Sequence, residues 1–553
     1  MSRTPLRLQD TVAPAGTPAP GLDFPVSRPE TGAGKGFERV PKNSSQPRSR
    51  GAPGRFGARH LQIALVAALI AASLAFLLRP IRDPDLFWHL KTGEWIWEHR
   101  ALPADDPFSY TGEGIATPAA RFILTSYWVS QLLLYLAHAL GGFTGIVLLR
   151  FVVAAALLAA VWRRLEGDAV VKAALLLVFA VSFLEMYPVE RPQVLAFVCF
   201  AALLALLERV KSSAGGRAPY LVPLLLLFWA NAHGGAILGQ ATIAIYLVAE
   251  GAKFAHRSLR PLPGAAYRAL LIAGVAGLAV SLANPNTFQA LGLERILSGG
   301  PSAGHAVQVT EYSSTVEALR RYREYTVIVF WILMLLAAVA VAAKPSRIDI
   351  TEAVLLAGSG YYAFRHIRYG ALFMIVALPA IVRFLSQGAR LPAARAALSA
   401  GALALALLFA RDERQGLQRL RLGEWVGRDA FPVEAADFIG AGGLRGNMYN
   451  FYDWGGYLIW RLAPGRKVFV DGRGVNPRMH WESSVINMGF EQAGQYNWKT
   501  LLDRYAVGYA VIPREFRGER FPLFERLVRD RDWVPVFSNS NSAVFARRSP
   551  GAR

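Results

Sequence analysis

The chain has 553 residues, of which 53% are hydrophobic, and its mean hydropathy of +0.29 reflects apolar residues that come in blocks. This composition predicts a polytopic membrane protein and excludes an ordinary soluble one. The single cysteine, Cys199, excludes an intramolecular disulfide, a four-cysteine zinc site and a C-x-x-C redox pair. The formal charge of +21 does not indicate a nucleic-acid partner, because Arg and Lys concentrate in loops and tails around apolar runs.

The chain begins with a polar, basic segment. Residues 1–58 are rich in Pro, Gly, Ser, Thr and Ala, contain many Arg and Lys residues and have few aromatic residues. Such a composition predicts a disordered basic tail, which we expect in the cytoplasm. The first apolar run starts only near Leu61, so we expect an uncleaved first span and no cleavable signal peptide.

The apolar runs of residues 59–410 predict an all-α membrane domain of about eleven transmembrane helices, several of them shorter than the usual ~20 residues. The predicted spans are 61–78, 143–162, 169–186, 192–208, 220–232, 235–251, 267–283, 325–343, 350–364, 369–386 and 396–410. The stretch 123–140 is interrupted by polar residues. We interpret it as an interfacial or re-entrant helix that closes a large first loop, 79–142.

Basic residues between the spans predict the orientation. Clusters at 163–164, 209–217, 253–268, 344–347 and 390–395 all fall on the side of the basic tail. Because cytoplasmic loops carry an excess of Arg and Lys, we expect a multi-pass protein of the inner membrane with a cytoplasmic N-terminus. Counting 123–140 as a span would separate the tail from these clusters. The first loop and the C-terminal region are therefore expected on the outer side.

The stretch Arg82–His89 carries two carboxylates directly after the first span. Residues 86–99 mix Leu and Trp with Lys and Glu, which predicts a short helix lying flat in the membrane interface. Pro84 suits the first helical position and Asp83 the N-cap, so capping alone would explain Asp83. The functional interpretation makes Asp83 and Asp85 catalytic: one is a general base for an acceptor hydroxyl, or both hold a divalent cation against a phosphate group.

Of the two acids, Asp85 is the predicted base. If Asp83 caps the helix, backbone N–H groups occupy its carboxylate and stabilise the charged form. Asp85 would keep its carboxylate available to a partly desolvated cavity, which makes a carboxylate more basic. Asp105 and Asp106, later in the loop, are a reserve pair, because Asp before Pro is more typical of a turn.

Polar and basic residues at the outer ends of other spans form the predicted substrate-binding set. Arg150 lies inside the second span with no acidic partner assigned, so it either binds a lipid phosphate or snorkels to the interface. Arg365, His366 and Arg368 suit phosphate too, although interfacial anchoring explains them equally well. His233 is best explained by a tight turn, with ligand binding as the alternative. Glu190, Arg191, Asp471 and Arg473 complete the set, and no metal site is predicted.

After Ala410 the apolar blocks stop, and 411–553 predicts a soluble α/β domain. The predicted helices are 432–438 and 501–505, and the predicted strands are 447–451, 467–470, 509–512, 534–537 and 543–545. Two loops, 453–457 and 470–473, follow predicted strands. Since α/β domains place binding residues at strand ends, Asp471 and Arg473 are candidates for contact with a polar ligand, with turn chemistry as the alternative.

This layout resembles the GT-C superfamily of integral membrane glycosyltransferases, which includes protein O-mannosyltransferases, the aminoarabinose transferase of lipid A and oligosaccharyltransferases. Asp83-Pro84-Asp85 occupies the position of its acidic motif, 127–140 resembles its second interfacial helix, and Arg150 resembles an arginine near the start of its second span. Here Pro84 splits the usual adjacent acids, which leaves open which Asp is the base. The resemblance implies inverting transfer of a sugar from a polyprenyl-phosphate-linked donor to a glycan, lipid or protein acceptor on the outer face.

Two other functions stay open from the sequence. A transporter or flippase of envelope lipids or polysaccharide would place ionisable residues near the bilayer midplane and show repeated halves with broken helices, and neither is evident. A non-catalytic scaffold for envelope assembly would not need acids beside arginines at one interface. The glycosyltransferase is therefore the preferred prediction.

Overall fold

The computed structural model describes most of the chain after the basic tail. The described residues are 55–212, 216–255, 259, 261–292, 313–322, 326–344, 349–388, 391–419, 425–491, 496–516 and 518–548. The predicted disordered tail, 1–58, lies outside them except for residues 55–58, which begin the first helix. Phe56–Arg553 forms one compact unit.

Helices dominate the chain up to residue 419. They are α1 (Arg55–Ala75), α2 (Asp85–His99), α3 (Pro118–Thr125), α4 (Trp128–Arg164), α5 (Ala169–Met186), α6 (Pro192–Ser212), α7 (Ala218–Ala232), α8 (Ile237–Ala252), α9 (Gly264–Val280), α10 (Thr326–Ala343), α11 (Ile350–Arg365), α12 (Gly370–Gly388) and α13 (Pro392–Arg419). A helix satisfies its own backbone hydrogen bonds, which an apolar segment in lipid requires.

Every predicted span falls on one of these helices. Within the described part of the chain, seven helices are long and apolar enough to cross a membrane, and three further apolar helices are shorter. The prediction of a helical, polytopic membrane domain is therefore confirmed. The count of about eleven spans stays a prediction.

The end of the first loop lies inside α4. Gly141 (φ −146°, ψ 16°) and Gly142 (φ 57°, ψ −147°) are not helical, so a kink divides 128–140 from 143–164. Gly142 has a positive φ, which glycine adopts at little cost because it lacks a Cβ atom. The predicted division between an interfacial helix and the second span thus coincides with this kink, and α3 forms a separate short helix before it.

The C-terminal region is α/β, as predicted. Its helices are α14 (Val433–Gly440), α15 (Gly455–Leu462), α16 (Pro477–Asn487), α17 (Trp498–Arg504) and α18 (Pro522–Arg529). Its strands are β1 (Asn447–Asn450), β2 (Val507–Pro513), β3 (Glu515–Phe516), β4 (Glu519–Arg520), β5 (Trp533–Ser538) and β6 (Ser542–Arg547). The main sheet has the order β1-β2-β6-β5, with β1 parallel to β2 and the other neighbours antiparallel.

The prediction of a strand at 467–470 is wrong. Its backbone makes one isolated bridge, from Val468 to Ser109 of the first loop. The side chain of Asn450 takes the place of a neighbouring strand, because Oδ1 accepts from the N–H of Phe469 at 2.8 Å and Nδ2 donates to the carbonyl of Val470 at 2.8 Å. An apolar run can therefore be buried without joining the sheet.

The C-terminal region shares a hydrophobic core with the first loop. Phe87 of α2 is fully buried, and its ring centroid lies 4.8 Å from Phe431 and 5.0 Å from Tyr457, edge to face. Ile81 also forms an isolated parallel bridge with Val426. A separate core fills the space between the membrane helices. The loop that carries the predicted catalytic acids is thus packed into the α/β region.

Candidate active site

The two predicted catalytic acids meet one arginine at the start of α2. Arg191 donates from Nε to Asp83 Oδ2 at 2.6 Å and from Nη2 to Asp83 Oδ1 at 3.0 Å, which is a bidentate pair. The same Nη2 lies 3.2 Å from Asp85 Oδ2. The side chain of Asp83 is 2% exposed, whereas those of Asp85 and Arg191 are 20% and 23% exposed. The cluster is closed around Asp83 and open at Asp85.

Local backbone structure distinguishes the two acids. Asp83 Oδ1 accepts a hydrogen bond from the backbone N–H of Asp85 at 3.1 Å, which is a capping contact of the predicted kind. The helix begins at Asp85, and Pro84 before it already has helical angles (φ −64°, ψ −26°). Asp85 Oδ1 accepts from the indole N–H of Trp88 at 3.0 Å. Asp83 is therefore held by backbone and arginine, and Asp85 by two side chains.

Arg191 comes from the turn between α5 and α6, and a buried ion pair supports that turn. Arg150 of α4 pairs with Glu190 and donates from Nη1 to the carbonyl oxygens of Leu77 at 2.8 Å and Arg79 at 2.7 Å. Its side chain is 1% exposed. The assumption that Arg150 has no acidic partner is therefore wrong. Because Glu190 directly precedes Arg191, this pair helps to position the arginine that binds both acids.

Two histidines contact the ring of Tyr127: His89 is buried and His233 is half-buried. The ring of Tyr127 lies 5.5 Å from His89 and 5.3 Å from His233 between centroids. Burial and nearby positive charges lower the pKa of His89. Burial and the charge of Arg368 lower the pKa of His233 to about 3. His233 Nδ1 accepts from the backbone N–H of Gly235 at 2.7 Å, as its turn interpretation predicts, so both histidines are neutral near pH 7.

The predicted phosphate-binding residues Arg365, His366 and Arg368 lie at and just after the end of α11, before α12. Arg365 ends α11 and is exposed, His366 follows it, and Arg368 lies in the next short turn. The hydroxyl of Tyr187 donates to the carbonyl of Ile367 at 3.0 Å, which ties the turn to the end of α5. The positive charge of Arg368 acts on His233 and contributes to the lowered pKa of that histidine.

Asp471 and Arg473 form a buried link to the first loop. Arg473 donates from Nη1 to Asp106 Oδ1 at 2.7 Å and from Nε to Asp471 Oδ1 at 2.8 Å. Burial acts against the charge of Arg473, but Asp106 and Asp471 outweigh it and raise the arginine pKa. The reserve acid Asp106 is therefore an ion-pair partner in this structure. Substrate binding by Asp471 and Arg473 stays a prediction.

Sequence reasoning missed Tyr452, which lies beside the acid cluster. Burial and the charges of Asp85 and Asp471 raise the pKa of its hydroxyl. Its ring lies 4.3 Å from that of His480 between centroids. Tyr452 directly follows the loop residue after β1, and this position at a strand end was the available signal. The C-terminal region therefore contributes at least one side chain, that of Tyr452, to the surroundings of the acid cluster.

A groove of about 720 Å³ lies at the opposite end of α2 and is lined by residues that include Trp97, Arg100, Trp128 and Asn284. A smaller polar pocket also contains Asn284 and reaches His233. Within the described ranges, no group of three or more His, Cys, Asp and Glu residues could hold a metal ion. The divalent cation predicted as an alternative partner of the two acids stays a prediction.

The fold of the chain is similar to that of solved membrane proteins. No family model matches the chain, and no curated protein is significantly similar to it in sequence. The oligosaccharyltransferase of Archaeoglobus fulgidus in the apo form superposes with a TM-score of 0.53 at 12% identity, over 90% of this chain and 75% of that chain. The two proteins share a fold, and at the level of the fold this confirms the resemblance to the GT-C superfamily seen in the sequence.

Two further solved structures have the same fold. The A. fulgidus protein in complex with an inhibitory peptide and a dolichol-phosphate has a TM-score of 0.52 at 11% identity, covering 83% of this chain and 70% of that one. The arabinofuranosyltransferase AftD from Mycobacteria has a TM-score of 0.52 at 16% identity, covering 89% of this chain and 40% of that one. The likeness defines the fold, and the reaction has to be argued from the site.

Proposed function

We propose that this protein is a membrane glycosyltransferase that moves a sugar from a polyprenyl-phosphate-linked donor to an acceptor hydroxyl on the outer face of the inner membrane. The observation that carries the proposal is the cluster of Asp83, Asp85 and Arg191 at the start of an interfacial-type helix in a GT-C fold. Asp85 offers a partly exposed carboxylate next to a fixed cation. Such a group suits proton abstraction at a membrane surface.

In the proposed reaction, Asp85 accepts the proton of the acceptor hydroxyl. The acceptor oxygen attacks the anomeric carbon of the donor sugar while the bond from that carbon to the phosphate oxygen breaks. The polyprenyl phosphate leaves with the electron pair of that bond. One displacement of this kind inverts the anomeric configuration, so the balanced products are the glycosylated acceptor, the lipid phosphate and a protonated Asp85.

Asp83 and Arg191 have positioning roles in this scheme. The carboxylate of Asp83 is already engaged by the backbone N–H of Asp85 and by two nitrogen atoms of Arg191, and its side chain is only 2% exposed, which leaves little access for an acceptor hydroxyl. Arg191 also lies 3.2 Å from Asp85 Oδ2. Asp83 and Arg191 thus help to hold the carboxylate of Asp85 in place.

The donor phosphate is assigned to the turn that carries Arg365, His366 and Arg368. A guanidinium offers two parallel donors to phosphate oxygens, and the hydrogen bond from Tyr187 to Ile367 ties this turn to the end of α5, four residues before Arg191. The related fold of the A. fulgidus oligosaccharyltransferase was solved with a dolichol-phosphate, which supports this donor class. Arg150 is the weaker candidate, because Glu190 already neutralises it.

The decisive test is transfer from a labelled polyprenyl-phosphate sugar by membranes that contain each variant. Asp85→Asn keeps the shape and removes the base, so we expect a loss of about 10²- to 10⁴-fold in transfer with donor binding retained. Asp83→Asn should do much less, because Asn is also a good N-cap. Glu98→Gln, an exposed change on the same helix, is the control.

Each other outcome leads to a different conclusion. Full activity of Asp85→Asn with loss in Asp83→Asn would reverse the two roles, and activity in both would remove this stretch from the chemistry. Release of polyprenyl phosphate should accompany transfer. A flippase or transporter of envelope lipids would move the labelled lipid without releasing its phosphate, and a scaffold would do neither.

A further inference from the structure

We infer that the C-terminal region sets the position of the Asp85 carboxylate through Gly472, which acts as a positioning residue for the reaction. This inference rests on the proposed function, because it assumes that Asp85 is the base. It goes further by giving the α/β region a part in the catalytic step that is separate from any binding of acceptor.

The first observation is a direct approach of backbone to carboxylate. A methyl group built on Gly472 would collide with Asp85 Oδ1 and would lie 3.5 Å from the indole nitrogen of Trp88. Oδ1 is the same atom that accepts the Trp88 hydrogen bond at 3.0 Å. The carboxylate therefore fits into a space that exists only because residue 472 has no side chain.

A second glycine makes the neighbouring approach possible. A methyl group on Gly456, at the start of α15, would collide with the carbonyl oxygen of Pro84 and lie 3.2 Å from a ring carbon of Trp88. The two loops that follow predicted strands, 453–457 and 470–473, thus both contact the start of α2. Together these two loops approach Pro84 and Trp88, on either side of Asp85 in the chain, and the Asp85 carboxylate itself.

The loop that carries Gly472 is fixed and cannot retreat easily. Its neighbours Asp471 and Arg473 are buried, and Arg473 is tied to Asp106 in the first loop at 2.7 Å. Gly455 adds a further close approach to Asp471 and to the carbonyl of Val470. Since both sides of Gly472 are anchored, a side chain at this position would displace the Asp85 carboxylate and not the loop.

The resulting geometry restrains each oxygen of Asp85 separately. Oδ1 is held between the Trp88 indole and the Gly472 backbone, and Oδ2 faces Arg191 at 3.2 Å. A base that must meet an acceptor hydroxyl at hydrogen-bond distance loses rate when it is misplaced, and an error of about 1 Å costs roughly 10²-fold. Positioning by Gly472 is thus expected to act on kcat.

The experiment compares Gly472→Ala with Gly465→Ala in the full-length protein, using the labelled polyprenyl-phosphate sugar. At Gly465 an added methyl group would lie no closer than 3.6 Å to another described atom, the carbonyl of Leu462, so this matched control should behave as wild type. Gly472→Ala should lower kcat roughly 10²-fold while the donor KM stays within twofold of wild type. In an Asp85→Asn background it should have no further effect.

Several results would overturn the inference. Wild-type kcat in a folded Gly472→Ala protein would do so, and so would a further loss in the Asp85→Asn background, because the glycine would then act elsewhere. If Gly472→Ala does not fold, Trp88→Phe removes the indole hydrogen bond to Oδ1 without adding atoms, and it should lower kcat at unchanged donor KM. An unaffected kcat in that variant would also overturn the inference. A fully active Asp85→Asn protein would instead refute the proposed function.

Discussion

The two ends of α6 carry similar ion clusters in different surroundings. At the start, Arg191 binds both acids of the first loop, and the outer carboxylate, Asp85, keeps 20% of its side chain exposed. At the end, Lys211 lies 2.8 Å from Glu250, whose side chain is fully buried. Lys253, which is 2% exposed, lies 2.7 Å from the same carboxylate.

The comparison separates a cluster that holds helices together from one that can react. At the end of α6, Asp349 also binds Lys253 at 2.6 Å, so two lysines share two carboxylates and connect α6, α8 and the start of α11. In such a buried network, removal of one charged group destabilises the fold, because it leaves another buried charge without its partner. At the start of α6, one arginine orients two acids, and solvent reaches the acid that has to exchange a proton.

The largest expected effect on stability comes from the closed cluster. Glu250→Gln removes one of the two carboxylates that pair with the buried Lys253 and the partly exposed Lys211, so we expect a loss of about 3–5 kcal/mol in the free energy of unfolding. Transfer activity per folded molecule should be unchanged. Glu352→Gln is the matched control, because its pair with Arg383 is partly exposed, at 23% and 27%, and should cost roughly 0–1 kcal/mol.

Denaturation in detergent, followed with an activity assay on the folded fraction, measures both quantities. Equal stability of the two glutamine variants would show that burial does not distinguish the clusters. A loss of kcat in Glu250→Gln at full folding would place this end of α6 in the reaction.

The next prediction compares Arg150 with Arg368, both of which the sequence indicates as candidates for phosphate binding. Arg150→Lys should destabilise the protein by about 1.5–3 kcal/mol, because lysine cannot reproduce a fork that serves Glu190 and two carbonyl groups. Arg368→Lys should leave stability unchanged and raise the donor KM about 10-fold, since charge is kept and the fork to phosphate is lost. Thermal unfolding and donor titration separate the two. Unchanged donor KM in Arg368→Lys, and in Arg365→Lys, would remove that turn from donor binding.

The last effect is negligible near pH 7 and develops only as the pH falls, as a pH dependence of stability near the first-loop cluster. His233 has a pKa of about 3 in the folded protein against 6.5 for an ordinary histidine, so the unfolded state binds the extra proton below pH 6.5. Stability should therefore fall as pH decreases from 6.5 towards 3, by at most about 1.4 kcal/mol per pH unit from this group. His233→Asn, which keeps an acceptor for the N–H of Gly235, should show a smaller slope in that window. Identical slopes in both proteins would contradict this assignment.

The sequence predicted much of this architecture because the signals are local. Blocks of apolar residues mark each membrane helix, and short alternating runs bounded by turn residues mark β1, β2, β5 and β6. The Gly-Gly kink in α4 and the start of α2 next to Pro84 follow from the same kind of local rule. The strand predicted at 467–470 failed because its neighbours are the side chain of Asn450 and a single bridge to Ser109, and periodicity reveals neither contact.

The composition of the site depended on contacts between distant positions. Arg191 and Asp83 are 108 positions apart, and nothing in either segment specifies that one guanidinium binds both acids. The same holds for Arg150, whose partner Glu190 decides between a lipid ligand and a buried ion pair. Asp83 and Asp85 were identifiable from the sequence because a polar pair after an apolar run is a local pattern. The fit of Gly472 against Asp85 exists only once the first loop and the α/β region pack into one core. Such a close approach is a property of packed surfaces, which only the tertiary structure determines.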